Sequence, residues 1–323
     1  MSSRTSVTWR AGAALLAMVA MSTACVSQAS SGPEAVPVAA GQAEAGAVTL
    51  TLLGTGGGPG GRKERAGIAT LLEVGGSRYL VDAGEGVSRQ LAMAGVQERE
   101  VPIVFLTHLH DDHFAGLTAL ATFAYTLRSK SLTLVGPAGT AKLREALAAM
   151  LQVSANIRIV ENRLPMTPDQ FLSAREFGQN PVYADEHVRV IATQNHHFRF
   201  GPDSPAASNT SHSLRFEAGG KVIVFTGDTG PDSRVDDLAR GADVLIAEMA
   251  SSKDRTMVPP QILKHMDEEH LSPIEVGKLA ARAGVKKLVL SHIGIVGDDD
   301  LAEIRKHYSG EIVLGADLVK ITL

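Results

Sequence analysis

His108-Leu109-His110-Asp111-Asp112-His113 decides how the rest of this chain reads. The apolar run before it, Val101 to Leu106, reads as a buried β-strand ending in Thr107. Strand alternation places His108, His110 and Asp112 on one side of the backbone as it leaves the sheet. A turn at Asp111-Asp112 then swings His113 toward the same point. Three imidazoles and a carboxylate gathered in so short a stretch suit a borderline cation such as zinc. The bland alternative, a polar loop that happens to be rich in His, loses ground because matching partners recur downstream.

The chain of 323 residues has room for one large domain or two small ones. Apolar residues make up 44% and aromatics only 4%, with 32 glycines, which suits a sheet-rich core with many tight turns. A formal charge of −4 gives no reason to expect a general polyanion-binding surface, although a small basic patch near a site is compatible with it. The single cysteine, Cys25, excludes an internal disulfide framework and a multi-cysteine zinc site. Any metal must be held by His and carboxylates.

The first 25 residues read as a targeting segment. Arg4 and Arg10 give a positive start, and Ala11 to Met21 form an apolar core too short for a comfortable membrane span. Small residues before Cys25 resemble a bacterial lipoprotein processing site, although Ser22 stands where a larger apolar residue is usual. Ordinary cleavage after secretion stays as the first alternative, and an uncleaved anchor or a cytoplasmic protein as the second. Residues 26–47, rich in Ala, Gly, Ser and Pro, read as a flexible tether. The expectation is an exported, periplasmic protein, either lipid-anchored through Cys25 or free.

From Val48 to Leu323 no second low-complexity break appears, so one domain is expected. Strands are read at Val48–Leu53, Ala69–Val74, Arg78–Val81, Ser131–Val135, Val188–Thr193, Ser213–Phe216, Lys221–Phe225, Val244–Ala247, Lys287–Leu290, Ile312–Leu314 and Val319–Leu323. Helices are read at Val87–Ala94, Ala115–Leu127, Ala138–Leu151 and Pro273–Ala283. Hairpin-like pairs mixed with helix-separated strands fit an α/β (α+β) sandwich with helices outside. No internal repeat is visible, though a repeat of structure need not survive in sequence.

Several separated motifs then fall in order. Leu53-Gly54-Thr55-Gly56 and Val81-Asp82-Ala83-Gly84-Glu85-Gly86 precede the His cluster, and Thr226-Gly227-Asp228-Thr229-Gly230 and Leu290-Ser291-His292 follow it. With them the chain resembles the metallo-β-lactamase fold superfamily, and within it the ribonuclease Z-like and arylsulfatase-like hydrolases. The resemblance covers Val48 to Leu323. It implies an αββα sandwich of two mixed β-sheets with outer helices and metals at one edge.

It also implies a division of labour. His108 and His110, with a third His from Asn195-His196-His197, would hold one metal; Asp112, His113 and His292 would hold the second; Asp228 would bridge them. Related sequences favour His197 over His196 as that third His, with His196 lining the pocket, whereas alternation alone does not decide. Two zinc ions per chain are expected, with manganese or iron as an alternative occupant of one site, sharing a hydroxide that attacks an ester. Asp112 would orient the nucleophile's proton, and His270, beside Glu248, would protonate the leaving group. His187, His212, His265 and His307 read as surface or structural. Asp82 reads either as a support for a ligand His or as a strand-end turn residue. Gly56 to Gly61 read as a flexible rim, and Phe198-Arg199-Phe200 as substrate contact or packing.

A phosphodiester is the first substrate class, with an aryl sulfate or lactone next and a non-catalytic metal-binding lipoprotein as the different reading. A β-lactam is disfavoured because true β-lactamases of this fold generally lack the bridging Asp. The partners expected are a small-molecule or short ester substrate, contact with a membrane only through the N-terminal anchor, and a homodimer, left open. Transfer RNA is disfavoured by the expected export, by the negative charge and by the lack of a Gly-Pro-Lys-rich arm.

Overall fold

A computed structural model describes residues 46–323, Arg128 excepted, so the targeting and lipidation readings and nearly all of the tether lie outside the described residues. Two seven-stranded sheets face one another. The first contains β1 (Val48–Gly54), β2 (Ala69–Val74), β3 (Ser77–Val81), β4 (Ile103–Phe105), β5 (Leu132–Gly136), β6 (Leu172–Glu176) and the last strand, β14 (Val319–Thr322). The second contains β7 (Tyr183–Ala184), β8 (Val188–Gln194), β9 (His212–Ala218), β10 (Lys221–Phe225), β11 (Val244–Met249), β12 (Lys287–Ile293) and β13 (Glu311–Leu314). Their orders are β14-β1-β2-β3-β4-β5-β6 and β13-β12-β11-β10-β9-β8-β7. In each sheet one half is parallel (β3 to β6, β10 to β13) and the other antiparallel. The plan of structure repeats where the sequence does not.

Helices cover both outer faces. α1 (Val87–Met93), α2 (Leu117–Thr126), α3 (Thr140–Asn162) and α4 (Pro168–Phe171) belong to the first half, and α5 (Ser233–Ala239), α6 (Ser252–Met257), α7 (Pro260–Glu269), α8 (Pro273–Ala283) and α9 (Asp298–Arg305) to the second. The observed layers are αββα. No helix among the described residues is long and apolar enough to cross a membrane.

Period-two alternation with apolar residues on both faces explains why the central strands sit in the middle of four layers. In β4 and just beyond it, Val104 and Leu106 pack toward the helices, whereas Phe105 enters the core between the sheets. β10 and β12 do the same: Ile223, Phe225 and Val289 face the other sheet, and Val224, Leu288 and Leu290 face the outer helices. Phe105 meets Phe216 across the sandwich edge to face, with ring centroids 5.0 Å apart. This packing holds the ends of β3, β4, β8, β10 and β12 at one edge. The side chains that follow those ends build the site.

Some elements go beyond the sequence reading. β6 and β7 are edge or near-edge strands with little burial, and α3 continues to Asn162, well past Leu151. Residues 252–269, which had no assignment, form α6 and α7.

Candidate metal centre

Two residues beyond β4 comes Thr107, and Asp111–His113 then turn as one 3₁₀ unit that brings His113 back toward His108. His108 and His113 are fully buried, as is His197 beyond β8. Three imidazole nitrogens meet: His110 Nδ1 lies 3.1 Å from His108 Nε2 and 3.0 Å from His197 Nε2. On the other side Asp112 Oδ2 lies 3.2 Å from His292 Nε2 and 3.9 Å from His113 Nε2. Asp228 sits between the two groups. Its Oδ2 is 4.0 Å from His108 Nε2 and 3.9 Å from His197 Nε2, and its Oδ1 is 3.4 Å from both His113 Nε2 and His292 Nδ1.

Local backbone puts Asp228 there. Gly227 adopts φ +56°, and a Cβ on it would fall 2.8 Å from the His212 carbonyl oxygen and 3.0 Å from Thr107 Cβ. Only glycine turns this tightly against the end of β4. Gly57 plays a similar part beside His292, since a Cβ there would lie 2.9 Å from that ring. Two non-glycine residues at the site, Asp82 (φ +57°) and His292 (φ +52°), hold left-handed backbone, a strain that surrounding contacts must sustain.

Behind the cluster, buried groups fix the rings. Asp82 Oδ2 accepts from His113 Nδ1 at 2.9 Å, while Asp82 Oδ1 accepts from the Thr107 amide at 2.9 Å. Asp82 is therefore a support for His113 and not a simple turn residue. His197 Nδ1 donates to the Glu269 carbonyl at 3.0 Å, which leaves Nε2 for the centre. Phe198 packs against His108, His110 and His197 and stacks on Phe200, while Arg199 pairs with Glu268 at 3.1 Å. Of the two adjacent histidines only His197 joins the cluster; His196, expected to line the pocket, instead turns out to solvent, 3.6 Å from Asp232.

The electrostatics favour bound cations. Burial pushes His108 well below the ordinary imidazole pKa and His197 down to about 3, so both rings are neutral with lone pairs to offer. Burial works against the Asp228 carboxylate, but His292 and His113 outweigh it and hold its pKa well below the usual carboxylate range. Asp112, also opposed by burial, is held at about 2 chiefly by His292 and His113. Two buried polar atoms of the cluster, His113 Nε2 and Asp228 Oδ1, have no hydrogen-bond partner among the described residues. Such orphans are costly unless something else satisfies them, and a cation between them does. The donor set of imidazoles and carboxylates, all within 4.8 Å of one another in overlapping groups, suits zinc.

Above the cluster opens a cleft of about 630 Å³. His270 lines it, with Nδ1 3.0 Å from Glu248 Oε2. Glu248 is itself buried, and its Oε1 accepts from the Thr229 and Leu271 amides at 3.1 and 3.2 Å. Burial disfavours a charged His270, yet Glu248 and then Asp228 raise its pKa to about 9. The glycine-rich rim contributes Gly57, Gly58 and Pro59 to the cleft, beside Arg62. His265, read from sequence as surface or structural, also lines it. The available signal was Glu269, one helical turn on, whose Oε2 lies 3.1 Å from His265 Nδ1. His187 and His307 stay outside, and His212 packs against Phe177.

Known proteins resemble this chain in sequence and in fold. A family model described as a beta-lactamase superfamily domain matches residues 77–293. Ribonuclease Z of Mycobacterium bovis is 32% identical over 281 residues, covering 84% of this chain and 97% of that protein. Among solved structures, the metallo-beta-lactamase fold protein YhfI from Bacillus subtilis superposes with a TM-score of 0.66 at 20% identity, covering 86% of this chain and 99% of its own. Human tRNase Z, short form, gives 0.61 at 22% identity, covering 84% and 98%.

These relatives overturn the expectation that transfer RNA is unlikely. That exclusion leaned on expected export, a missing basic arm and net charge; the last averages over the whole surface, whereas a polyanion responds to the local field.

Proposed function

The chain belongs to the beta-lactamase superfamily and, within it, to the ribonuclease Z family, and from that premise we propose that it is a two-zinc phosphodiesterase acting on nucleic-acid phosphodiesters. It is a metal-dependent hydrolase of ester bonds by family. One observation carries the finer reading: the two oxygens of buried Asp228 face two separate sets of donors, below a cleft that holds a His–Glu pair.

His108, His110 and His197 would hold one ion, Asp112, His113 and His292 the other, with Asp228 shared. Bound there, the pair would supply Lewis acidity and an activated water. The remaining chemistry belongs to the chain. Asp112 orients the attacking group's proton from the cleft floor. His270 keeps its Nδ1–H on Glu248 and carries a proton on Nε2 for the departing oxygen. Glu248, fixed by two backbone amides, holds that ring in place and favours its charged form.

The test is zinc content together with turnover of bis(p-nitrophenyl) phosphate, a precursor transfer RNA, an aryl sulfate and a lactone. About two zinc ions per chain and cleavage of the phosphodiesters are expected. Turnover confined to the sulfate or lactone would move the assignment to a sibling activity. We also propose export, supported by Arg4, Arg10 and the apolar stretch before Cys25. Cell fractionation checks it: recovery with residues 1–25 intact in the cytoplasm would refute it.

A further inference from the structure

The cleft has two unlike walls. Gly57, Gly58, Pro59 and Arg62 form one; α6, α7 and the link between them form the other. α7 presents Ile262, His265 and Met266 to the cleft, residues three and four positions apart that share one helical face. Met257 and Val258 extend this surface toward α6. Neither helix buries a single residue, so the face does not serve to close a core. Met257 is 65% exposed and Ile262 39%. Apolar area left in water over a reaction centre is area that a ligand recovers.

His265 is the polar group set into this wall. Its Nδ1 is held by Glu269, no group among the described residues bonds its Nε2, and its ring lies 5.1 Å from that of His270. An alkyl substituent would fill the wall but leave His265 unpaired. A sugar hydroxyl would use His265 but leave the thioethers wet. A planar heteroaromatic group satisfies both, with its face on methionine and isoleucine and its edge on the imidazole. The wall adjoins His270, so it borders the departing side of the ester.

We infer that this face of α7 is a recognition slot for a nucleobase on the leaving-group side of the scissile phosphodiester, with His265 the residue that reads the base edge. The slot rests on the phosphodiesterase reading above. It adds the group that is selected and the residues that select it.

Equilibrium titration of the zinc-loaded protein with adenosine 5′-monophosphate and with ribose 5-phosphate isolates the base. The nucleotide should bind about tenfold tighter. His265→Ala and Met266→Ser should each bring that ratio to about threefold or less, whereas His265→Gln, which keeps an edge partner, should restore much of it. These positions lie on a helix that buries nothing, and melting curves check that the fold is intact. Equal affinities in the unaltered protein, or variants that weaken both ligands alike, would overturn the slot. Hydrolysis of bis(p-nitrophenyl) phosphate is measured alongside. Turnover with equal affinities sinks the slot alone; base-dependent affinity without any phosphodiester turnover sinks the phosphodiesterase reading and keeps the slot.

Discussion

Replacing Asp82 by Asn separates support of a ligand from ligation itself. The Asp82 carboxylate is buried, accepts from His113 Nδ1 at 2.9 Å, and accepts twice from Thr107. With Asp82→Asn, the side-chain carbonyl would keep one acceptor for Thr107, but an amide N–H would turn toward the His113 N–H. Two donors then face each other, and the ring loses the hydrogen bond that fixes its orientation. The left-handed backbone at this position is no obstacle, because Asn tolerates it about as well as Asp. The perturbation is therefore electronic and confined to one ring. Loss of such a partner typically costs 10- to 100-fold in metal affinity, or about 1.4–2.8 kcal/mol. Competition with a chromophoric chelator should show that loss for the more weakly held ion, with less than about threefold change in the other. Unchanged affinity for both ions would refute the role given to Asp82, and equal loss of both would refute the assignment of His113 to one of two distinct positions.

Three further outcomes are expected. His270→Ala should leave zinc content intact and slow esters of poor leaving groups by about 10²- to 10⁴-fold, but p-nitrophenyl esters far less; equal slowing of both would remove the proton-donor role. His212, whose pKa burial lowers to about 4, stays neutral in the fold while the unfolded chain takes up its proton below about pH 6.5. Stability should therefore fall as pH drops from about 6.5 toward 4, by on the order of 2–3 kcal/mol from this group. Urea unfolding of His212→Gln should show a shallower slope over that window, and an identical slope would contradict the argument. Phe105→Ala, which empties the edge-to-face contact between the sheets, should cost about 3–5 kcal/mol in the same assay; a loss below about 1 kcal/mol would mean that the sandwich does not depend on it.

What could be read from sequence follows burial. β4, β10, β11 and β12 are apolar on both faces and stand out as runs, and the polar residues at their ends stand out by contrast. The cluster from His108 to His113, Asp228 and His292 was legible for that reason. β6 exposes most of its residues and β7 is two residues long, so neither carries a pattern. α6 and α7 fully bury no residue, so their apolar positions faced the cleft and not a core, and His265 was read with them as surface or structural. α3 continues past Leu151 through Val153, Ile157 and Val160, which are exposed and β-branched and argue locally against helix. The preference for His197 over His196 came from the resemblance, not from the local pattern: adjacent residues point opposite ways, and the path after β8 shows which one turns inward. The misreading of transfer RNA had a different origin: expected export, a missing basic arm and a summed charge say nothing of the site itself.

Asp228 as a shared ligand is the centre of this account, and anomalous diffraction from zinc-loaded crystals measures it directly. Two zinc peaks roughly 3.5–4 Å apart, with one Asp228 oxygen on each, are the expected result. A single peak, or two peaks with Asp228 turned away from either, would contradict it.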